Sequence, residues 1–185
     1  DVKRIFIGIP AGDQIKSILP FIKSTINCKS SFIKWLLCEN IHLTLSFIGD
    51  ISNNAIPEFI QSIEHNITTA QFQLSISGTG VFPSSKSPKV LWLGLDKGID
   101  ELKLLHHQIG SSIQDFNNNY GNNKFIPHIS IARIKQTFRK IDVLPFLNSV
   151  YSPIDLEVNS ISMYESKLFP EGVQYTIINT FPLTD

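Results

Sequence analysis

The sequence predicts an α+β fold built from two similar halves, and three repeated features support this prediction. An apolar segment at residues 5–9 (IFIGI) recurs at residues 91–95 (LWLGL). A tetrad of alternating histidine, aliphatic, hydroxyl and aliphatic residues recurs at the same offset, as HLTL at residues 42–45 and HISI at residues 128–131. A helix-like segment separates strand from tetrad in both halves. Because a repeated order of elements indicates a repeated unit, we expect two α+β lobes related by a pseudo-twofold axis.

The elements of each half follow from the spacing of their apolar residues. The short apolar segments and the tetrads are predicted strands. Helices with one apolar face are predicted between them, formed by Ile15, Ile18, Leu19 and Ile22 in the first half and by Leu102, Leu105 and Ile109 in the second. Further helices are predicted at residues 57–67 and 144–150, alternating strands at residues 72–82 and 154–164, and a closing strand at residues 174–181.

Two segments rich in turn-forming residues are predicted to be connectors. Residues 83–88 (PSSKSP) are expected to bridge the halves, and the Asn-rich residues 117–123 to form a polar loop before the second tetrad. With 185 residues, the chain is expected to form one two-lobed domain spanning residues 1–185. A domain of this size buries a core without disulfides or metal.

Composition limits the classes of partner and compartment. Sixteen basic and sixteen acidic residues give a formal net charge of zero, which argues against a broad surface for long nucleic acid and leaves local binding of a nucleotide or RNA end open. Cys28 and Cys38 are too few and too irregularly placed for a zinc motif or a disulfide framework, so a reducing cytoplasm is the default expectation. No segment approaches membrane-spanning length, so no membrane partner is expected.

Each tetrad places an imidazole and a hydroxyl on one face of a strand, because residues two apart in a strand point to the same side. One such match is weak evidence, since roughly one accidental match is expected in a chain of this composition. Two matches at the same place in a repeated unit favour function over a strand histidine with an ordinary hydrogen bond. By contrast, His65, His106 and His107 lie on predicted helices, where surface or helix-end roles are the ordinary explanation.

Two histidines provide chemistry that one cannot. Near neutral pH one imidazole accepts a proton while the other, still protonated, donates one, which suits hydrolysis of a phosphodiester. The hydroxyls of Thr44 and Ser130 would donate to the non-bridging phosphate oxygens. We expect no metal or other cofactor, because the sequence has no carboxylate cluster or His-rich spacing suited to a two-metal phosphodiesterase.

These residues resemble the two-histidine phosphoesterases, and within them the RNA 2′,3′-cyclic phosphodiesterases, also called LigT-like or 2′-5′ RNA ligases. The resemblance extends over most of the chain, through residues 4–10 (RIFIGIP), 39–49 (ENIHLTLSFIG), 80–83 (GVFP), 90–94 (VLWLG), 127–133 (PHISIAR) and 164–166 (YES). It implies a bilobal fold with a central cleft between two antiparallel sheets and helices outside. It also implies hydrolysis of a ribose 2′,3′-cyclic phosphate to a 2′-phosphate.

The resemblance further implies roles for site residues. His42 would be the general acid on the 3′ oxygen and His128 the group that orients or activates water, although the pseudo-twofold leaves these roles exchangeable. Thr44 and Ser130 would hold the phosphate. Arg133 corresponds to a basic residue that approaches the phosphate in this family, or is simply a solvent-facing charge. Strict alternation puts Arg133 opposite His128, so contact with phosphate requires the strand to end or bulge.

The nucleoside pocket and the path of an RNA backbone are open at this level. Aromatic side chains could stack a base or belong to the core: Phe6, Trp35 and Tyr164. Basic side chains could follow an RNA backbone or form a solvated rim: Lys34, Lys135, Arg139 and Lys140.

The leading hypothesis is a metal-independent cyclic phosphodiesterase that acts on RNA 3′ ends or small cyclic nucleotides. Reversible 2′-5′ joining of RNA is a second hypothesis within the same chemistry. A catalytically silent module that binds RNA ends is the third, although simple binding would not need a matched acid and base. No obligate protein partner is inferred, and a self-contained cleft makes a monomer the simpler expectation.

Overall fold

The computed structural model describes residues 1–116, 124–135 and 140–185. Nine strands and five α-helices lie within these residues. The strands are β1 (Val2–Pro10), β2 (Ile33–Trp35), β3 (His42–Ser52), β4 (Phe72–Phe82), β5 (Val90–Lys97), β6 (Ile129–Ile134), β7 (Ile154–Val158), β8 (Ser160–Phe169) and β9 (Gly172–Pro182). The helices are α1 (Gly12–Ile15), α2 (Leu19–Ser24), α3 (Ile56–Asn66), α4 (Ile99–Phe116) and α5 (Leu144–Leu147). The Asn-rich residues 117–123 and Arg139 lie outside the described residues.

The strand order makes the internal symmetry visible. The strands run β7-β4-β5-β6-β3-β1-β8-β9, with β2 paired to β6, and the pairings between them are antiparallel. Reading outward from the centre, β6 and β3 carry the two tetrads, β5 and β1 carry the repeated apolar segments, and two further strands follow on each side. This arrangement confirms the predicted α+β class with its pseudo-twofold duplication.

A single residue pair joins the two antiparallel sheets within the described residues. Leu43 of β3 lies opposite Ile129 of β6. Because antiparallel neighbours run in opposite directions, this register brings His42 to the side of Ser130 and His128 to the side of Thr44. The two tetrads therefore meet where the sheets diverge.

The boundary between the lobes differs from the prediction. Strand β4 of the first half pairs with β5 of the second, and β8 of the second half pairs with β1 of the first, so each of these strands lies in the sheet of the other half. Residues 83–88 consequently do not bridge the lobes but close a hairpin in which Phe82 pairs with Val90. The predicted strand 154–164 is two strands separated at Asn159, one in each sheet.

The helices cover the side of the sheets that carries the aliphatic tetrad residues. Helix α4 packs against α3 and β3 and buries the predicted apolar face. The predicted helix through Ile15 and Ile22 is divided into α1 and α2. Pro20 would interrupt one continuous helix, but it lies in the first turn of α2, where its missing N–H costs no helical hydrogen bond. The predicted helix 144–150 is reduced to the single turn of α5. Helix α3 matches the prediction at 57–67 within one residue at each end.

The tetrad aliphatic residues lie in the core. Leu43, Leu45, Ile129 and Ile131 are at most 1% exposed. The histidine and hydroxyl positions of the same strands are partly accessible. This alternation anchors the accessible face of each tetrad strand on buried side chains. None of the described helices is long and apolar enough to cross a membrane.

We expect the residue pair that joins the sheets to make a large contribution to stability. Leu43→Ala or Ile129→Ala should lower the free energy of unfolding by about 2–5 kcal/mol, since each removes a fully buried aliphatic side chain. Chemical denaturation followed by circular dichroism measures this change. Val150→Ala, at a position 84% exposed, is the control and should change stability by less than about 0.5 kcal/mol. A similar small loss for Leu43→Ala would contradict the expectation.

Candidate active site

A cleft of about 360 Å³ opens where the two tetrads meet. The five residues predicted from sequence all line it: His42, Thr44, His128, Ser130 and Arg133. The hairpin formed by β8 and β9 and the segment around β2 supply much of the remaining wall. The structure thus brings together residues that are up to 91 positions apart in the chain.

The two histidines are held in the same way. His42 Nδ1 lies 2.7 Å from the carbonyl oxygen of Asn40, and His128 Nδ1 lies 2.7 Å from that of Ile126. A carbonyl oxygen only accepts hydrogen bonds, so each ring carries a proton on Nδ1 and turns Nε2 toward its other neighbours. His42 Nε2 lies 2.9 Å from Thr44 Oγ1, whose hydroxyl donates to it when the ring is neutral.

Aromatic rings enclose both imidazoles. The His42 ring stacks on Phe6 at 4.6 Å between centroids and meets Tyr175 edge-on at 5.2 Å. The His128 ring meets Phe82 edge-on at 4.9 Å and lies 5.9 Å from Trp92. Such packing restricts each ring to one orientation. In both lobes one of the packing partners lies on the repeated apolar strand, β1 or β5.

Burial changes the acidity of His42. Desolvation lowers the pKa of its imidazole below the ordinary 6.5, and the positive charges of His128 and Arg133 lower it further. The hydrogen bond to the Asn40 carbonyl, which favours the protonated form, opposes these effects. The unfolded chain therefore binds a proton at a pH where folded His42 does not, so this group makes the fold less stable as the pH falls below about 6.5.

A β-bulge turns Arg133 toward the cleft. The register between β5 and β6 passes from Trp92↔Ser130 to Leu91↔Ala132, which leaves Ile131 as an extra residue. The extra residue shifts the alternation by one position, so Arg133 lines the same cleft as His128 and Ser130. The condition predicted for contact with phosphate is met.

The first tetrad strand contains a corresponding bulge. Opposite β1, Gly8 pairs with Thr44 and Ile7 with Ser46, which leaves Leu45 as the extra residue. This bulge brings Phe47 into the cleft at the place that corresponds to Arg133. The two lobes therefore have the same β-bulge, but one lobe presents an aromatic ring to the cleft and the other a guanidinium.

The proposed nucleoside and backbone residues have different locations. Phe6, which also lines the cleft, and Tyr164 are at most 7% exposed, and their rings stack on one another at 4.8 Å, so packing accounts for both. Trp35 and Lys34 line the cleft. Lys135 follows the end of β6, whereas Lys140 lines a separate surface cavity.

Sequence reasoning missed several residues around the histidines. Trp92 follows Phe6 at the same offset as the two histidines, so the repeat itself could have indicated it. Asn40 and Phe82 lie in segments that carry the family resemblance, 39–49 and 80–83, but had no role assigned there, and nothing in the sequence pattern marks Tyr175. Asn40 holds two elements together, because its carbonyl accepts from His42 while its side chain donates to the Val173 carbonyl of β9 at 3.2 Å.

His106 lies outside the cleft and has a packing role. Its Nδ1 lies 2.7 Å from the Leu45 carbonyl, and its ring stacks on Phe125 at 4.3 Å. These contacts attach α4 to the back of β3. Among the residues that the structure describes, no group of three or more His, Cys, Asp or Glu side chains is arranged to hold a metal ion.

Comparison with known proteins supports the assignment of the family. The family model described as the 2′-5′ RNA ligase superfamily matches residues 18–168. The chain belongs to this superfamily. The resemblance drawn from the two tetrads is thereby confirmed.

Two relatives with similar sequences align with nearly the whole chain. A protein of Aquifex aeolicus named RNA 2′,3′-cyclic phosphodiesterase is 32% identical over 98% of both chains. A protein of Thermotoga maritima with the same name is 28% identical over 95% of this chain and 92% of its own.

Solved structures show the same fold at lower identity. TT0787 of Thermus thermophilus has a TM-score of 0.78, with 21% identity over 97% of both chains. E. coli LigT in complex with 3′-AMP also has a TM-score of 0.78, with 20% identity over the full length of both chains. These two structures share the fold of this chain.

We expect the His42 imidazole to titrate below pH 6.5, and removal of the Arg133 charge to raise its pKa. Arg133→Met leaves a side chain of similar length without the cation that disfavours protonated His42. The Cε1–H resonance of His42, followed by NMR against pH, measures the midpoint in both proteins. Lys97→Met, which removes a distant exposed charge, is the control. A midpoint that is lower in Arg133→Met than in the parent protein would contradict the electrostatic explanation.

Proposed function

We propose that this chain hydrolyses 2′,3′-cyclic phosphates at RNA 3′ ends or on small nucleotides to 2′-phosphates, using its two histidines as acid and base. One observation carries the proposal: His42 and His128 have the same Nδ1 anchor and lie in one cleft with the hydroxyls of Thr44 and Ser130. The names of the Aquifex aeolicus and Thermotoga maritima relatives support the same activity.

The reaction exchanges one phosphorus–oxygen bond for another. Water attacks phosphorus as His128 Nε2 takes its proton, and the bond from phosphorus to the 3′ oxygen breaks. Protonated His42 gives its Nε2 proton to that oxygen, which leaves a 2′-phosphate and a 3′ hydroxyl. Proton exchange with solvent then returns the imidazoles to their starting states.

Accessibility favours this assignment over its reverse. Three aromatic rings, those of Phe6, Tyr164 and Tyr175, pack around the His42 imidazole, whereas two, those of Phe82 and Trp92, pack around His128. Desolvation is the main cause of the lowered pKa of His42. An acid that protonates a bound oxygen needs no water beside it, whereas a base that activates water does. An anionic phosphate next to His42 favours its protonated form, so the substrate itself would charge the acid.

The remaining cleft residues are suited to the phosphate. Thr44 and Ser130 place hydroxyl donors beside the two imidazoles, where charge on the non-bridging oxygens increases during attack. Arg133 adds a guanidinium that can donate two parallel hydrogen bonds to phosphate. Serine in place of threonine at the second tetrad retains the donor.

The setting of the reaction is part of the proposal. We propose a reducing cytoplasmic compartment, because both cysteines, Cys28 and Cys38, are free thiols. A monomer suffices, since both tetrads and the whole cleft come from one chain. The chemistry proposed for the histidines needs no metal, so it should continue in a chelator.

We expect the purified protein to hydrolyse an RNA with a 2′,3′-cyclic phosphate end in the presence of EDTA and to form only a 2′-phosphate. His42→Ala and His128→Ala should each lower kcat/KM by about 10²–10⁴-fold, because each removes one proton-transfer group. His107→Ala, which removes an exposed histidine outside the cleft, is the matched control. Circular dichroism checks that the variants fold.

The same assay separates the alternatives. A 3′-phosphate product would contradict the proposed bond cleavage, and activity that EDTA abolishes would contradict metal independence. Binding without turnover would favour an RNA-end binding module. Joining that exceeds hydrolysis when an RNA with a 5′ hydroxyl is added would favour 2′-5′ ligation.

Leaving-group chemistry distinguishes the acid from the base. A 3′-deoxynucleoside 2′-(p-nitrophenyl phosphate) keeps the 2′ ester and places a phenolate oxygen on phosphorus where the 3′ oxygen stands. The phenolate leaves without a proton, so loss of the acid should matter little for this ester. We expect His42→Ala to lose far less activity on this ester than on the cyclic phosphate, while His128→Ala loses activity on both. The reverse pattern, measured as kcat/KM for the two substrates, would exchange the roles of the histidines.

A further inference from the structure

Two basic side chains face each other at the mouth of the cleft. Lys34 of β2 lies directly opposite Arg133 of β6 in the antiparallel register. Like charges at directly opposed positions destabilise a sheet. Both side chains are exposed and both line the cleft, so the free protein maintains this repulsion next to its proposed phosphate site.

Lys135 extends the same row away from the histidines. It lies two positions after Arg133, on the same side of an extended chain, and its backbone N–H donates to the Phe32 carbonyl beside β2. Glu171 is the acidic side chain among the described residues that line the cleft, and no ion pair joins it to Lys34, Arg133 or Lys135 within the described part of the chain.

The other lobe provides an internal comparison. There Arg4 of β1 lies opposite Asp50 of β3, and Lys3 Nζ forms an ion pair with Glu165 at 3.4 Å. The residues that correspond to Arg133 and Lys135 in the repeat are Phe47 and Gly49, which carry no charge. Arg4 and Lys3 thus lie against carboxylates in one sheet, whereas Lys34 and Arg133 lie against each other in the other, although the chain as a whole has no net charge.

We propose that Lys34, Arg133 and Lys135 form a track that binds the RNA backbone leading to the cyclic end. This inference rests on the proposed function and extends it: the preferred substrate is an oligonucleotide, and its strand leaves the cleft over β2 and the end of β6. Successive phosphates would neutralise the opposed cations, which no carboxylate in the described ranges does in the free protein. A mononucleotide would occupy only the site between the histidines.

The test compares substrates of two lengths at several salt concentrations. We would measure kcat/KM for a 2′,3′-cyclic mononucleotide and for an RNA of about six nucleotides with the same cyclic end. The range of KCl is about 50–200 mM. Lys135→Gln should reduce the slope of log kcat/KM against log salt by about 0.7 for the RNA and leave the mononucleotide unchanged. Lys97→Gln, in the same lobe but away from the cleft, is the control and should change neither.

A binding measurement tests the proposed RNA track independently of the proposed activity. Fluorescence anisotropy of a labelled RNA that ends in a 2′-phosphate needs no turnover and should show the same loss of slope in Lys135→Gln. If neither substrate is hydrolysed but this loss appears, the track holds and the proposed activity fails. If the parent protein hydrolyses both substrates with equal kcat/KM and equal salt dependence, the track is wrong. It is also wrong if Lys97→Gln and Lys135→Gln have equal effects on RNA.

Discussion

The pairing of Leu43 with Ile129 is the constraint on which the rest of the site depends. It is the only register pair between the tetrad strands in the described part of the chain, and both side chains are fully buried. On one side of this pair the sheets diverge around the helices. On the other side they present two imidazoles and two hydroxyls to one cleft. A shift of one residue in this register would turn every functional side chain into the core and every aliphatic one out.

Much of this arrangement could be predicted from the sequence, because alternation and repetition are local signals. The faces of the tetrads, the amphipathic helix α4 and the equivalence of the two halves all follow from residue spacing. The exchange of β4 and β8 could not be predicted, since a repeat identifies equivalent strands but not the sheet that each one joins. The cleft position of Arg133 depends on a bulge set by pairing with a distant strand.

The two bulges explain how symmetrical strands form an asymmetrical site. Each tetrad strand has one extra residue at the equivalent position. In each strand this residue turns the side chain two positions later toward the cleft. The backbone is the same in both lobes, so the difference between them lies in single residues. In one lobe the Arg4 guanidinium lies 5.1 Å from the centre of the Phe47 ring, and in the other Arg133 lies opposite Lys34. Charge is concentrated on one side of the cleft without a change of fold.

The exchanged strands also have a consequence for the origin of the chain. A chain with one tetrad would lack the outer strands of its own sheet and would hold only one of the two cleft histidines. It would complete both only by trading β4 for the corresponding strand of a second copy, as domain-swapped homodimers do. In its topology the present chain is such a dimer with its two subunits joined end to end. Two identical subunits would place the same residue at both equivalent positions, whereas a single chain can carry an arginine at 133 and a phenylalanine at 47.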